Sequence, residues 1–395
     1  MRNRLVALLT VPLPAPPEAL RRGPFRADAF SSRVRSPWLT SRLGLALGIS
    51  FGVCFVTGLL SHLIQHPPGW FGWPPRPVAL YRVTQGVHVA TGLAAIPLLG
   101  AKIWSVFPEL FSWPPWRTIG HALERLSIAV LSLAAVFQLL TGLLNIAHWY
   151  DALPFPLLQA HYWGAWLAIG AIVLHIGVKL PVIRVGLTRT PPLRSTVEGG
   201  LSRRGVLTAA LAATAAVTVA TVGQTVRPLA RVSVLAPRRP WVGPQGLPVN
   251  MSAVGAGVVE AARDPGYRLA LSGPAGVREL SLDELAALPW HTADLPITCV
   301  EGWSAGGSWS GVRLAELVAL VGGSEHDRVR VESLQRDGYR STVVEARLLR
   351  DPLTLLALRL GGETLHIDHG YPCRLIAPNR PGVLQTKWVA AVTVL

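Results

Sequence analysis

Four long apolar stretches in the first half of the chain limit most strongly what it can fold into. They cover residues 43–64, 83–106, 126–147 and 161–180. At 1.5 Å of rise per residue, a helix of about 20 residues crosses the roughly 30 Å hydrocarbon core of a bilayer. A fifth stretch, 206–226, is built mainly of Ala, Thr and Val and is less hydrophobic. The sequence therefore predicts an all-α transmembrane bundle of four helices, followed by a fifth anchor helix.

The composition supports a membrane protein and argues against nucleic-acid binding. Half of the 395 residues are hydrophobic and 15% are charged, whereas soluble domains usually carry about a quarter charged residues. The net charge is +15, and almost all of it is arginine, because the only lysines are Lys102, Lys179 and Lys387. These charges lie between the apolar stretches, as a topology signal does. No nucleic-acid reading motif accompanies them.

The distribution of arginine predicts the orientation. Residues 2–42 hold eight arginines, and further basic residues follow the second and fourth apolar stretches. The loop after the first stretch has only Arg76 and Arg82, and the loop after the third has Asp151 instead. Since cytoplasmic segments carry the excess of Lys and Arg, both ends of the four-helix bundle are expected in the cytoplasm. The fifth helix then carries everything after about Arg227 to the outside.

A paired-arginine motif, Ser202-Arg203-Arg204, stands directly before the fifth stretch. It resembles a twin-arginine export signal, which serves domains that are folded around a cofactor before export. The alternative is an ordinary basic flank of a membrane helix. The export reading makes the twin-arginine and Sec machineries expected partners of the chain, and the helix is expected to stay as an anchor.

Histidines within the apolar stretches are candidate haem ligands. Ionisable residues inside a membrane are costly and usually functional. His161 and His175 are 14 residues apart, which is about 21 Å of helical rise and nearly a whole number of turns. The bundle resembles the four-helix cytochrome b subunits of formate dehydrogenases, hydrogenases and the cytochrome b561 group. That resemblance implies haem b, with His88 and His161 as the outer ligand pair.

The inner ligand pair is open at this point. The resemblance implies a first-helix histidine near the cytoplasm, and the sequence has none there. His175 could pair with His88 or with His121, and His62 could be another partner of His161. The alternative for His62, His121 and His148 is interfacial hydrogen bonding.

The composition changes at about Pro228, where Pro and Gly become frequent. Segment 281–288 begins with Ser and has acids in its first turn, which is typical of a capped helix. Segment 314–321 is a second expected helix, and 328–331 an expected strand. We expect four parts: a basic tail 1–40, a haem b bundle 41–185, a linker with the fifth helix 186–227, and an exported α+β domain 228–395.

Two motifs in this last part carry a resemblance. The first is 295–304, Leu-Pro-Ile-Thr-Cys-Val-Glu-Gly-Trp-Ser, followed by Trp-Ser-Gly at 309–311; the second is 367–375, Ile-Asp-His-Gly-Tyr-Pro-Cys-Arg-Leu, followed by Thr-Lys-Trp at 386–388. Together they resemble the sulfite oxidase superfamily of molybdopterin oxidoreductases, most closely its small periplasmic branch with the methionine sulfoxide reductase catalytic subunits. The resemblance covers most of 245–395.

The resemblance implies a molybdopterin cofactor and a set of site residues. Cys299 matches the molybdenum ligand, and a soft thiolate suits such a metal. His369, Arg374 and Lys387 match pterin-contacting positions, and Asn250 resembles another. Glu301 and Trp303 would line the substrate face. A disulfide between Cys299 and Cys373 is the alternative for the two thiols.

The sequence departs from sulfite oxidases after Cys299. Sulfite oxidases carry arginines there, whereas this chain has Val-Glu-Gly-Trp-Ser-Ala-Gly-Gly at 300–307. We therefore expect a small S- or N-oxide to be reduced with electrons from the membrane quinone pool. The alternatives are an enzyme that oxidises a small substrate and reduces quinone, and a binding module without cofactor on a cytochrome b anchor.

Overall fold

A computed structural model describes residues 34–113, 118–188 and 202–395, with isolated positions before residue 34. Most of the basic tail and the arginines of 189–201 lie outside the described residues. The chain divides into two compact units. Unit 1 comprises Met1–Gly52, Gly92–Leu144 and Tyr150–Val217, and unit 2 comprises Val53–Thr91, Asn145–Trp149 and Thr218–Leu395.

Five long helices are apolar enough to cross a membrane, as the sequence predicted. Their bounds are α1 Pro37–Gln65, α2 Leu80–Leu110, α3 Ile119–Ile146, α4 Leu157–Thr188 and α5 Arg203–Val222. Most of them extend past the apolar stretches, because the helical hydrogen-bond ladder continues into the polar flanks. A 32-residue helix such as α4 is about 48 Å long, so its ends reach beyond the hydrocarbon core.

Unit 1 contains the first part of α1, the last part of α2, nearly all of α3, all of α4 and most of α5. Lys102 Nζ on α2 donates to the Thr40 carbonyl on α1 at 2.8 Å. Lys179 on α4 forms an ion pair with Glu124 on α3. These polar contacts join α2 to α1 and α4 to α3.

Unit 2 combines the adjoining halves of α1 and α2 with an α+β domain. Its strands are β1 Arg268–Gly273, β2 Gly276–Ser281, β3 His291–Thr298, β4 Ser304–Arg313, β5 Val329–Ser333, β6 Ser341–Val344, β7 Leu355–Leu360, β8 Glu363–Thr364, β9 Arg374–Ile376 and β10 Val389–Val394. One sheet has the order β2-β1-β10-β5-β6; the other has β3-β4-β7-β8, with β9 paired to β7. Strand β1 pairs with β10 in parallel, so the last strand completes the first sheet.

The described part of this domain also has the short helices α6 Val259–Arg263, α7 Leu282–Ala286, α8 Leu314–Ala319 and α9 Ala346–Leu349. Helices α7 and α8 are shorter than the segments 281–288 and 314–321 that the sequence predicted, and α6 and α9 were not predicted. Ser281 caps α7 in a capping box with Glu284, as the Ser-x-x-Glu pattern favours. This helix stops before Pro289, and α8 stops before Gly322 and Gly323, residue types that end helices.

Candidate functional site

Cys299 lies in a tight turn between β3 and β4. The Cys299 N–H donates to the Trp303 carbonyl at 2.9 Å, and the Gly302 N–H donates to the Cys299 carbonyl at 3.1 Å. Gly302 has φ +96°, a conformation that glycine adopts without strain. Cys299 and Trp303 are buried. The turn therefore holds the thiol rigidly at the end of two paired strands.

Asn250 links the thiol to the neighbouring carboxylate. Its Nδ2 lies 3.1 Å from Cys299 Sγ and 2.7 Å from Glu301 Oε2, and donates to both. Its Oδ1 accepts from Arg238 Nε at 3.2 Å. The structure thus brings Asn250 to the cysteine from 49 residues away in sequence.

Glu301 is buried, and it is also approached by a residue from the membrane half. His148 Nε2 lies 3.5 Å from Glu301 Oε1. His148 follows α3 and has φ +58°. Its position beside Glu301 gives it a place at the site that the sequence did not indicate.

The second motif lies around a left-handed glycine. His369 Nε2 contacts the Pro244 carbonyl at 2.7 Å, and Arg374 NH1 donates to the His369 carbonyl at 3.3 Å. Gly370 has φ +113°, and a Cβ there would lie 3.1 Å from the Cβ atoms of Arg374 and Lys387. Glycine therefore allows His369, Arg374 and Lys387 to converge.

Lys387 ties the second motif to the segment that contains Asn250. Its Nζ donates to the Met251 carbonyl at 2.5 Å and to the Asp368 carbonyl at 2.9 Å. The Asp368 carboxylate accepts from the Ala253 N–H at 2.7 Å. Asp368 thus does more than cap a local turn, because it fastens the 250–253 segment to the second motif.

The second motif brings basic groups together, with His369 and Arg374 buried and Lys387 partly buried. Burial, aided by the charges of Arg374 and Lys387, lowers the pKa of His369 to about 4. Burial lowers the pKa of Arg374 to about 9, and burial together with Arg374 lowers that of Lys387 to about 7. Arg374 Nε is buried and has no hydrogen-bond partner among the described residues. An anion bound here would reduce the repulsion between Arg374 and Lys387 and would accept a hydrogen bond from Arg374 Nε.

The residues fit a molybdopterin cofactor on these observations. The cationic cluster suits its phosphate, and the buried Cys299 suits a single thiolate ligand. Burial, and next the Glu301 carboxylate, raises the pKa of Cys299 well above its usual value. A thiolate at this position therefore needs a cation beside it, as a metal ion provides.

Cys299 and Cys373 are both free thiols, so the disulfide alternative does not hold. Cys373 is fully buried, and its Sγ lies 3.3 Å from the Tyr267 hydroxyl. Burial raises its pKa to about 12, which is typical of an inert core thiol.

One face of α2 contacts the loops that form the site. The Tyr81 N–H donates to Asn379 Oδ1 at 2.6 Å, and Gln85 Nε2 donates to the Val300 carbonyl. A Cβ on Gly302 would lie 2.6 Å from Val89 Cγ2. Residues 81, 85 and 89 follow one another by four, so they share a helix face. That face packs against the cysteine turn.

The loop before α2 adds two further contacts within unit 2. Arg76 donates to the Asp351 carboxylate through Nε at 2.9 Å and NH2 at 3.1 Å. Trp73 Nε1 donates to the Asn379 carbonyl at 2.9 Å. Asn379 has φ +54°. Its backbone carbonyl and its side-chain oxygen both accept hydrogen bonds, so the loop fixes both parts of the residue.

Arg380 is a buried cation that the sequence analysis did not single out. Its NH2 donates to Thr342 Oγ1 at 2.9 Å and to the Val343 carbonyl at 3.0 Å. Within the described part of the chain its NH1 has no partner. Pro381 forms a bridge with Thr298, next to Cys299. In the sequence, only the position of Arg380 in the loop between the second motif and Lys387 could have suggested a role for this arginine.

The candidate haem ligands differ in their surroundings. His88 Nδ1 lies 2.8 Å from the Cys54 carbonyl, and His161 Nδ1 lies 2.8 Å from Thr141 Oγ1. Contacts of this kind through Nδ1 are typical of imidazoles that ligate a metal through Nε2. His62 instead stacks on His66 at 4.7 Å.

His175 lies among charged side chains of unit 1. Lys102, Lys179 and Glu124 act on it electrostatically. His121 Nδ1 is buried without a hydrogen-bond partner among the residues that the structure describes. Neither histidine has the Nδ1 support that His88 and His161 have, so the inner ligand pair stays a prediction.

Comparison with known proteins defines the class of the domain. Residues 256–395 match the family described as an oxidoreductase molybdopterin binding domain. The chain therefore carries a molybdopterin-binding oxidoreductase domain of the sulfite oxidase type.

Individual relatives cover only part of the chain. A protein of Azospira oryzae, provisionally named protein-methionine-sulfoxide reductase subunit YedZ1, is 36% identical over 129 residues, which is 32% of this chain and 48% of that protein. The mitochondrial sulfite oxidase of Drosophila melanogaster is 31% identical over 155 residues, 32% of this chain and 27% of that protein. The sulfane dehydrogenase SoxCD of Paracoccus pantotrophus is 23% identical, with a TM-score of 0.31, over 33% of this chain and 38% of that chain. The matches span less than half the length of each relative.

Proposed function

We propose that this protein is a membrane-bound molybdopterin oxidoreductase that reduces a small S- or N-oxide outside the cytoplasm. The electrons come from the quinone pool and pass through haem b in the bundle. The observation that carries the proposal is the buried Cys299, which shares the Asn250 amide with Glu301 and lies in a turn that α2 contacts directly.

Each group at the site has a binding task. Cys299 would ligate molybdenum, while His369, Arg374 and Lys387 would hold the pterin and its phosphate. Arg374 Nε has no hydrogen-bond partner among the described residues, so a phosphate or another acceptor would satisfy this donor. When bound, this cofactor supplies two-electron oxygen-atom transfer.

The residues beside Cys299 favour a neutral oxide as the substrate. The buried Glu301 carboxylate disfavours an anion next to the thiol, and the arginines of sulfite oxidases are absent from 300–307. Reduction of a sulfoxide consumes two electrons and two protons and releases the sulfide and water. The name of the Azospira relative supports a methionine sulfoxide substrate.

The electron route is argued from α2. His88 follows Gln85 by three residues, about one helical turn, and Gln85 donates to the carbonyl beside Cys299. A haem ligated by His88 would therefore have a continuous covalent and hydrogen-bonded path toward the cysteine turn. His62 and His175 are the remaining candidates for a second haem.

The location is argued from charge. The arginine-rich flanks favour a cytoplasmic N-terminus and an exported C-terminal domain. Ser202 Oγ accepts from the Gly205 N–H at 3.0 Å and so starts α5 directly at the Arg203-Arg204 pair. The proposed partners are the lipid membrane, quinone, a small-molecule substrate, and the twin-arginine and Sec machineries; nucleic acid is not among them.

The test is a Cys299→Ser variant of the full chain, purified in detergent. We expect oxide reduction to fall to background, with loss of the molybdenum EPR signal, because an alcohol is a poor replacement for a soft thiolate. Cys373→Ser is the matched control and should keep both, since that thiol lies in the core. Full activity in Cys299→Ser would overturn the assignment.

The same preparation separates the alternatives. Turnover with a reduced substrate and quinone, but not with quinol and an oxide, would favour an oxidising enzyme, and the sulfite oxidase relatives keep this candidate open. A wild-type protein that contains haem and no molybdenum would favour the binding module. Loss of the low-spin haem spectrum in His88→Ala, but not in His62→Ala, would support the His88 assignment.

A further inference from the structure

Three arginines gather where α1 and α5 begin and α2 ends. Arg35 lies two residues before α1, Arg42 lies in the second turn of α1, and Arg203 is the first residue of α5. All lie in unit 1. They surround one apolar cluster formed by Leu39, Leu43 and Ala210, against which Trp38, Trp104, Val206 and Leu207 pack.

Helical spacing places Arg42 and Arg203 on the faces that meet at this cluster. Trp38 and Arg42 are four residues apart and share a face near the start of α1, whereas Arg35, before the helix, lies over Trp104 of α2. On α5, Arg203 precedes the packed residues Val206 and Leu207 by three and four. The three guanidinium groups therefore border the same contact between α1, α2 and α5.

Two of these guanidinium groups lie over indole rings. The Arg35 Cζ is 5.0 Å from the centre of the Trp104 ring, and the Arg42 Cζ is 4.6 Å from that of Trp38. A ring attracts a cation through its quadrupole and provides no hydrogen-bond acceptor in doing so. The guanidinium N–H groups therefore still need acceptors of their own.

Several N–H groups of these three arginines have no hydrogen-bond partner among the described residues. Arg35 Nε and NH2, Arg42 Nε and Arg203 Nε are buried and have no hydrogen-bond partner in the described part of the chain. Buried donors cost free energy when they are left without an acceptor. An anion with several acceptor oxygens would satisfy them together.

The depth of the cluster indicates which anion that is. Arg42 directly precedes the apolar stretch 43–64, and Arg203 comes three residues before 206–226. Both therefore lie where a helix leaves the hydrocarbon core and enters the headgroup layer. Tryptophan also prefers this level. We infer that Arg35, Arg42 and Arg203 form a binding site for the phosphate of an anionic phospholipid.

The test is lipid binding to the full chain in detergent, followed by native mass spectrometry and by thermal unfolding. We expect phosphatidylglycerol to bind and stabilise the protein, and phosphatidylcholine to do so far more weakly. Arg42→Gln and Arg203→Gln should each weaken phosphatidylglycerol binding roughly fivefold, the usual contribution of one arginine to an anionic surface. Arg42→Lys should keep part of the binding, because it keeps the charge and loses the planar fork.

Arg184→Gln is the matched control, because it removes the same charge from an exposed side chain of α4 that belongs neither to the cluster nor to the paired-arginine motif. It should bind phosphatidylglycerol like the wild type. Equal binding of both lipids, an equal loss in Arg184→Gln, or the same stabilisation by inorganic phosphate alone would overturn the lipid site. None of these outcomes depends on molybdenum or haem, so they are distinct from a failure of the proposed function.

Discussion

The side-chain amide of Asn250 is shared by a thiol and a carboxylate, both of which are buried. A carboxylate in such surroundings depends on each of its donors, because water cannot replace them. Asn250 therefore matters for the stability of the site as well as for its chemistry.

We predict that Asn250→Leu destabilises the protein by roughly 1–3 kcal/mol, the usual cost of a buried acceptor that loses its donor. The molybdenum EPR signal should also shift, since the sulfur of Cys299 loses a hydrogen bond. Thermal unfolding and EPR of the purified variant measure the two effects. Met251→Leu, at the neighbouring exposed side chain, is the control, and equal behaviour of the two variants would contradict the prediction.

A second prediction concerns pH and His369. The unfolded chain binds a proton at this residue near pH 6.5, whereas the folded protein resists protonation down to about pH 4. The stability of the cofactor-free protein should therefore fall as the pH drops through this window, by up to roughly 3 kcal/mol from this group.

Thermal unfolding of cofactor-free protein between pH 4.5 and 7 measures this dependence. His369→Gln, whose amide can still donate to the Pro244 carbonyl, should have a flatter profile than the wild type. An unchanged slope in the variant would show that other groups cause it.

At this scale, the sequence indicated those site residues that lie inside short motifs. Cys299, His369 and Arg374 have neighbours that mark them. Gln85 and His148 have no such neighbours, because their site contacts lie far away in sequence, 215 residues in the case of Gln85 and Val300. Their positions depend on how the chain folds back, which a local pattern does not contain.

Among the elements, α2 has two tasks. Its length and composition suit a membrane helix, and its residues 81, 85 and 89 pack against the loops at Cys299 and Asn379. Gln85 is buried, and its side-chain amide donates to the Val300 carbonyl, next to Cys299.

We predict that Gln85→Leu lowers quinol-driven oxide reduction about tenfold, because a buried carbonyl left without its donor costs roughly 1–3 kcal/mol. Activity with a soluble artificial electron donor should change little, since that donor bypasses the membrane helices. Val83→Ala, at an exposed position of the same helix, is the control. Equal losses with both donors would mean that Gln85 supports the site and not the electron route.

The elements were predictable to different degrees. Apolar length identified all five long helices, because nothing but a helix buries so long an apolar run in lipid. The helix at Ser281 was recognisable from its capping pattern. The pairing of β1 with β10 was not, because it joins residues about 120 positions apart, as in Ala270 and Ala391.

For the whole molecule, the proposed topology is argued from the arginine flanks and the motif at α5. We predict that replacing both Arg203 and Arg204 by Lys retains the C-terminal domain in the cytoplasm, because twin-arginine recognition requires the guanidinium pair while the charge stays the same. Protease access to the domain in spheroplasts measures this. Arg184→Lys, which lies in α4, is the control. Normal export of the double variant would support the ordinary basic flank.

The contacts of Tyr81, Gln85 and Arg76 with the α+β domain have a consequence for kinetics. In a system of separate subunits, donor and acceptor must collide before each transfer, and the rate depends on how much of each is present. Here the proposed haem ligand His88 and the proposed molybdenum ligand Cys299 share one polypeptide and one compact unit. Their effective concentration is set by the fold. The rate of electron transfer between them is therefore independent of dilution and of the relative amounts of two separately synthesised subunits.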